Sequence, residues 1–161
     1  MAEKNFGPFL GDEDVWAIAK QRMSGAVSLA ALDCNWTGSA KVPGEKDYFN
    51  IWAVVSFPEK KDRVFLHGAR FSTWNLEIEM KLVGTVKNVG LYRLSLENPN
   101  EFPNEFVLLL KREETGEEIY DNNNYRNYYI EHSKGHFATA VSHGGSVFSF
   151  DSIIPVKVIH V

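Results

Sequence analysis

The chain has little that would commit it to disulfide, metal or membrane chemistry. Its one cysteine, Cys34, allows no intramolecular disulfide and no cysteine-based metal cluster, and a solitary thiol fits a reducing compartment most simply. No run approaches the roughly 18 apolar residues of a membrane-spanning helix, and the opening Met-Ala-Glu-Lys-Asn-Phe-Gly-Pro lacks the apolar stretch of a secretion signal. The expectation is a cytoplasmic protein, secreted only if a leader has been removed. Charge of one sign is scarce as well. With 17 basic and 21 acidic residues the formal charge is -4, which offers no field for nucleic-acid phosphates or an anionic membrane. Those partners drop out, a neutral ligand fits better, and association into a homo-oligomer stays open.

Signatures of catalysis are missing too. There is no Gly-x-Ser-x-Gly, and Cys34 has no nucleophile motif around it. The glycines Gly38 and Gly44 have the wrong spacing for a phosphate loop, and Glu45 intrudes before Lys46. His132 and His136 could share a metal if helical, but they flank Ser-Lys-Gly at a predicted turn and read as surface histidines. Glu113, Glu114, Glu117 and Glu118 could supply a pair of carboxylates for glycoside hydrolysis. A predicted hairpin turn leaves them solvated, and a shifted pKa needs burial. Asn35-Trp36-Thr37 fits the glycosylation pattern, which is too short to carry weight. The expectation is a protein that is not an enzyme and uses no cofactor and no metal.

What the chain does hold is a core and many rings. Its 161 residues fit one domain, with 44% hydrophobic and 13% aromatic residues. From Asp12 onward Val15, Trp16, Ile18, Ala19 and Met23 partly follow helical spacing, with Asp12 as the N-cap. Gly25 weakens that pattern, so residues 1–31 read as a short helix and a lead-in strand starting near Ala26. Beyond Tyr48, runs rich in β-branched and aromatic residues predict strands at 49–56, 63–68, 76–83, 90–96, 106–111, 128–132, 137–142 and 153–160. In Leu76-Glu-Ile-Glu-Met-Lys-Leu82 the apolar residues fall on one face and the charges on the other. Turn residues separate the runs, which is the pattern of an antiparallel β-sandwich spanning residues 49–161. Trp16, Trp36 and Trp52 are assigned to its core.

One segment stands out. Residues 119–129 read Ile-Tyr-Asp-Asn-Asn-Asn-Tyr-Arg-Asn-Tyr-Tyr, amides and a carboxylate set among aromatic rings. A pyranose shows an apolar face of C–H groups and an edge of hydroxyls, so its site wants flat rings and short planar donor-acceptor groups. Asn and Asp also favour turns and tolerate positive φ. At this point both a sugar site and a long loop fit the residues.

Tyr120-Asp121-Asn122-Asn123 followed by Asn127-Tyr128 resembles the signature of carbohydrate-binding modules of family 21, the starch- and glycogen-binding modules of fungal glucoamylases and of the glycogen-targeting subunits of protein phosphatase-1. Upstream blocks agree in order: Val54-Val-Ser-Phe57-Pro-Glu-Lys60-Lys61-Asp-Arg-Val64, then Ser72-Thr-Trp74, then Asn104-Glu-Phe106-Val-Leu. The resemblance spans residues 49–130. It implies a mainly β, antiparallel immunoglobulin-like β-sandwich with two glucan contacts. One would use Trp74, Tyr120 and Tyr128 with Asp121, Asn122, Asn123 and Asn127. The second would use Phe57 with Lys60 or Lys61. The implied partner is a polysaccharide or oligosaccharide, with α-glucan favoured. A lectin for other glycans and a glycogen-targeting scaffold are the alternatives. The phosphatase-docking pattern of the scaffold class is absent, because Arg63-Val64-Phe65-Leu66 has its Phe one place early.

Overall fold

Alternating apolar residues build strands because one face of a pleated ribbon must leave water, and that pattern dominates the structure. A computed structural model describes residues 11–13, 15–16, 26–35, 48–70, 73–98, 101–103, 105–121, 127–131, 136–141, 147–151 and 157–159. Through them run β1 (Val27–Asn35), β2 (Tyr48–Ser56), β3 (Asp62–Arg70), β4 (Thr73–Glu79), β5 (Lys81–Val86), β6 (Val89–Leu96), β7 (Glu105–Arg112), β8 (Glu117–Asp121), β9 (Tyr128–Glu131), β10 (His136–Val141), β11 (Val147–Asp151) and β12 (Lys157–Ile159). Every pairing is antiparallel. The strands form two sheets, ordered β11-β10-β1-β2-β6-β5 and β12-β9-β7-β3-β4, with β8 also paired to β7. The chain is mainly β and sandwich-like.

The two sheets meet across one core. Phe49, Ile51, Ala53 and Val55 of β2 face Val64 and Leu66 of β3 and Phe106, Leu108 and Leu110 of β7, with Phe102 closing one end. Each fully buried side chain of this size contributes about 1.5–3 kcal/mol. Among the described side chains of β1 the inward ones are Val27, Leu29 and then Leu32. The change of parity comes from a register shift between Leu29 and Ala31 in the pairing with β2, where one extra residue re-aims the strand.

Strand β2 is buried on both faces. Its outward residues Trp52 and Val54 join Val15, Ala30, Ala31 and Leu91 in a second cluster. The lid on this cluster is formed by helical residues 12–13 and 15–16, where the Val15 N–H donates to the Gly11 carbonyl at 3.3 Å. The carboxylate of Asp12, expected as an N-cap, accepts from the Trp52 indole N–H at 2.7 Å and from Arg93 at 2.8 Å. Trp52 is therefore core, as expected, and Trp16 packs against the same cluster. Trp36 and the rest of the predicted helix lie outside the described residues.

Strands β2, β3, β6, β7, β9, β10 and β12 fall on predicted runs, and β1 begins at the predicted lead-in strand. The run at 76–83 is instead two strands. At Met80 the chain leaves one sheet for the other, so β4 is the edge of one sheet and β5 the edge of its neighbour. Met80 is buried, and its N–H donates to the Val64 carbonyl at 2.7 Å. Strands β8 and β11 lie outside every predicted run.

Candidate functional site

Among the described residues three large aromatic side chains stand exposed: Phe57 at 69%, Tyr120 at 47% and Trp74 at 37%. Each sits where local structure pushes it outward. Phe57 follows β2 in the left-handed region, φ 51°, at the start of the turn that leads to Lys60, Lys61 and β3. Trp74 lies near the start of edge strand β4, with its ring 5.5 Å from the His67 ring at 40°. Tyr120 is in β8, in register with Leu109 of β7, which pairs in turn with Phe65 of β3 and so with Glu79 of β4. That row lies on the face of the sheet opposite the core, because the neighbouring Val64, Leu66, Leu108 and Leu110 point inward.

The face between Trp74 and Tyr120 is already occupied by ion pairs. Phe65 is nearly buried beneath the Arg63 guanidinium, 5.0 Å from its ring, and the Lys111 ammonium, 4.7 Å away. Arg63 forks onto Glu79 at 2.9 and 3.1 Å and reaches Glu113 at 3.4 Å. The Arg63 hydrogen bonds hold the Glu79 carboxyl below its usual value, against the opposing effect of burial, and push the guanidinium up in turn. Lys111 meets Glu77 at 3.4 Å. Three strand spacings and five residues of rise separate Tyr120 from Trp74, about 20 Å in all. The two rings are not brought together over one sugar.

The residues of the Asn segment divide. The Asp121 carboxylate accepts from the Leu29 N–H at 2.8 Å, beside the shifted register of β1, and so links the two sheets. Asn127 adopts φ 58° and donates from Nδ2 to Glu105 at 2.8 Å. Asp121 thus holds the β1 backbone and Asn127 the Glu105 side chain, on either side of residues 122–126. Asn122 and Asn123 lie outside the described residues. Tyr128 pairs in register with Phe106, while its side chain is also outside them.

A cleft of about 450 Å³ opens beside the second predicted contact. Pro58, Glu59 and Lys60 form one wall, Leu82 and Thr85 of β5 another, and Arg63, Glu79 and Tyr92 also line it. Lys61 is exposed beyond it. The Tyr92 hydroxyl is pushed up by burial and then by the nearby Asp62 charge. Asp62 is 1% exposed and accepts from the Glu59 N–H at 2.8 Å, closing the turn. Arg112 at the end of β7 meets both acids, at 3.3 Å from Glu59 and 3.4 Å from Asp62. Nothing near Arg112 in the sequence points to this role, because its partners lie some fifty residues away.

Among the described residues no cluster of three or more His, Cys, Asp or Glu side chains could hold a metal ion, and His132 and the side chain of His136 lie outside them. Glu113, Glu114, Glu117 and Glu118 are exposed on the β7–β8 hairpin. Set against known proteins, the chain matches no family model and no curated relative.

Proposed function

We propose that the chain is a non-catalytic carbohydrate-binding domain that holds an α-1,4-glucan on exposed aromatic rings. In this reading the two sheets are the immunoglobulin-like sandwich of the starch- and glycogen-binding modules. One observation carries it. The exposed large aromatics among the described residues are Phe57, Trp74 and Tyr120, three of the four rings that the resemblance implies as sugar contacts. A flat ring left in water is open to stack on a ligand rather than on the core. The C–H face of a pyranose suits such stacking. In this reading Trp74 and Tyr120, being far apart, contact different stretches of one glucan chain, and Asn122, Asn123 and Tyr128 complete the contact at the Tyr120 end.

The test is retention on insoluble starch with competition by maltoheptaose, and a reducing-sugar assay on the same sample. Retention, release by maltoheptaose and no new reducing ends are expected. Lack of retention refutes the α-glucan reading, and release of reducing ends refutes the non-catalytic one.

A second reading, a self-standing lectin for other glycans, draws on the cleft. Its lining mixes Glu59, Asp62 and Glu79 with Lys60 and Arg63, charges that a neutral glucan does not require. Binding of an amino- or acid-substituted sugar on a glycan array, weakening as salt is raised, would favour this reading.

A further inference from the structure

We infer that Phe57 is held in a strained conformation for display to ligand, and that Arg112 is the residue that positions it. The inference rests on the carbohydrate reading above and names a residue which neither the sequence pattern nor the resemblance marks.

A bulky aromatic residue at φ 51° is a genuine outlier. Glycine makes the same corner without a Cβ penalty, and Asn or Asp makes it more easily than Phe. Strain of this kind persists where packing repays it or where function requires it. Packing does not repay it here, because Phe57 is 69% exposed. What the position gains from Phe over Gly is a ring in solvent. The next residues in the chain, Pro58, Glu59 and Lys60, already form a wall of the cleft. Its volume of about 450 Å³ lies within the roughly 300–1,000 Å³ typical of small-ligand sites. The residues that follow Phe57 would offer polar groups to a sugar stacked on its ring.

The backbone of Phe57 is fixed from both sheets. Its N–H donates to the Asn88 carbonyl at 2.7 Å, in the turn between β5 and β6. Its carbonyl accepts from Arg112 Nη2 at 3.2 Å, and the Ser56 carbonyl lies 3.5 Å from the same nitrogen. Arg112 Nη1 lies 3.3 Å from Glu59 and Nε 3.4 Å from Asp62, the second an ion pair without hydrogen-bond geometry. Arg112 is only 13% exposed on its side chain, so solvent does little to loosen it. One planar fork thus spans the end of β2, the corner at Phe57 and the start of β3. Lys carries the same charge but not the rigid fork.

The experiment measures melting temperature and maltoheptaose affinity by calorimetry for the full chain and for Phe57→Gly, Arg112→Lys and the double variant. Phe57→Gly is expected to melt at or above the wild-type temperature, since strain is relieved, while affinity falls tenfold or more. Arg112→Lys keeps a charge beside Asp62, lowers the melting temperature somewhat and weakens binding severalfold. In the Phe57→Gly background Arg112→Lys should cost no further affinity, because it acts through the ring, while its effect on melting persists. A purely structural arginine would shift melting alone. A lower melting temperature for Phe57→Gly with affinity intact overturns the inference, as does an Arg112→Lys loss of binding that is additive in the double variant. If the wild-type chain binds no maltoheptaose, the α-glucan reading falls and takes this role for Phe57 with it. If the wild type binds and Phe57→Gly binds equally well, only the inference falls.

Discussion

Replacing Asp121 separates its two candidate roles, sugar ligand and structural anchor. In the structure its carboxylate accepts from the Leu29 N–H at 2.8 Å, where the pairing of β1 shifts register. Asp121→Ala removes that acceptor. A buried donor left without a partner costs about 1–3 kcal/mol, and this donor is only partly buried, so the lower half of that range applies, about 1–2 kcal/mol. For a domain of this length each kcal/mol lowers Tm by about 2–4 °C, giving a fall of about 2–8 °C. Asp121→Asn keeps an oxygen acceptor and loses charge assistance, which costs about 1 kcal/mol or less. Differential scanning calorimetry reads the Tm values, and titration with maltoheptaose reads binding. The expected pattern is a clear drop in Tm for Asp121→Ala, a small one for Asp121→Asn, and affinity within about twofold of wild type for Asp121→Asn, since the inward-facing carboxylate does not grip sugar. A wild-type Tm in both variants together with lost binding in Asp121→Asn would refute the structural assignment.

Three further outcomes follow from the geometry. Trp74→Ala and Tyr120→Ala should each weaken glucan binding about tenfold, given roughly 1–3 kcal/mol per stacked ring, with little change in Tm, and the losses should add in the double variant because the rings are far apart; titration calorimetry showing no loss in either variant removes both platforms. Gly68→Ala should destabilise the fold by about 1–3 kcal/mol, because its Cβ would meet the Glu105 carbonyl oxygen at 2.8 Å and Phe106 Cβ at 3.1 Å; an unchanged denaturant midpoint would contradict the close approach of β3 to β7. Burial and the Asp62 charge hold the Tyr92 phenol protonated above its ordinary value near 10. Its contribution is therefore intact below pH about 10 and lost as pH rises through the folded-state value, so Tyr92→Phe should lose less Tm than wild type between pH 8 and pH 11, and equal losses would count against the assignment.

The sequence made strand faces legible and left long-range partners hidden. Alternation in 76–82 correctly marks Leu76 and Ile78 as more buried than Glu77 and Glu79. It continues without a break through Met80 into Leu82, although Met80 is core and Leu82 is exposed on the other sheet. Periodicity reports which face a residue takes, not which sheet it joins, and no Gly or Pro marks the crossing. Strand β8 escapes because Glu117, Glu118 and Tyr120 are exposed, leaving Ile119 as its one residue packed on the core. Within the candidate site Phe57, Trp74 and Tyr120 are exposed, but Phe57 and Trp74 were marked only by the resemblance, since nothing in their immediate neighbours distinguishes them from core aromatics. The anchoring of Asp121 and Asn127 could not be read, since their partners Leu29 and Glu105 lie 92 and 22 residues away. Arg112 was hidden for the same reason.

The crossing at Met80 has a bearing on how the protein behaves in concentrated solution. Because β4 and β5 are consecutive and each is an edge strand, a single stretch of chain borders both sheets on one side. Unpaired backbone at a sheet edge invites pairing with another molecule, and charges along the edge discourage it. This stretch carries exposed Trp74, Leu82 and Val86, which favour association, interleaved with Glu77, Glu79, Lys81 and Lys87, which oppose it by solvation. Glu79 is tied to Arg63 and Glu77 to Lys111, so the acidic half of that protection is fixed in place. Substitutions that make the edge more apolar would therefore be felt first as aggregation rather than as a lower melting temperature. Met80 is also the one buried rivet between the two borders, so fraying that frees it would expose the edges of both sheets in the same event.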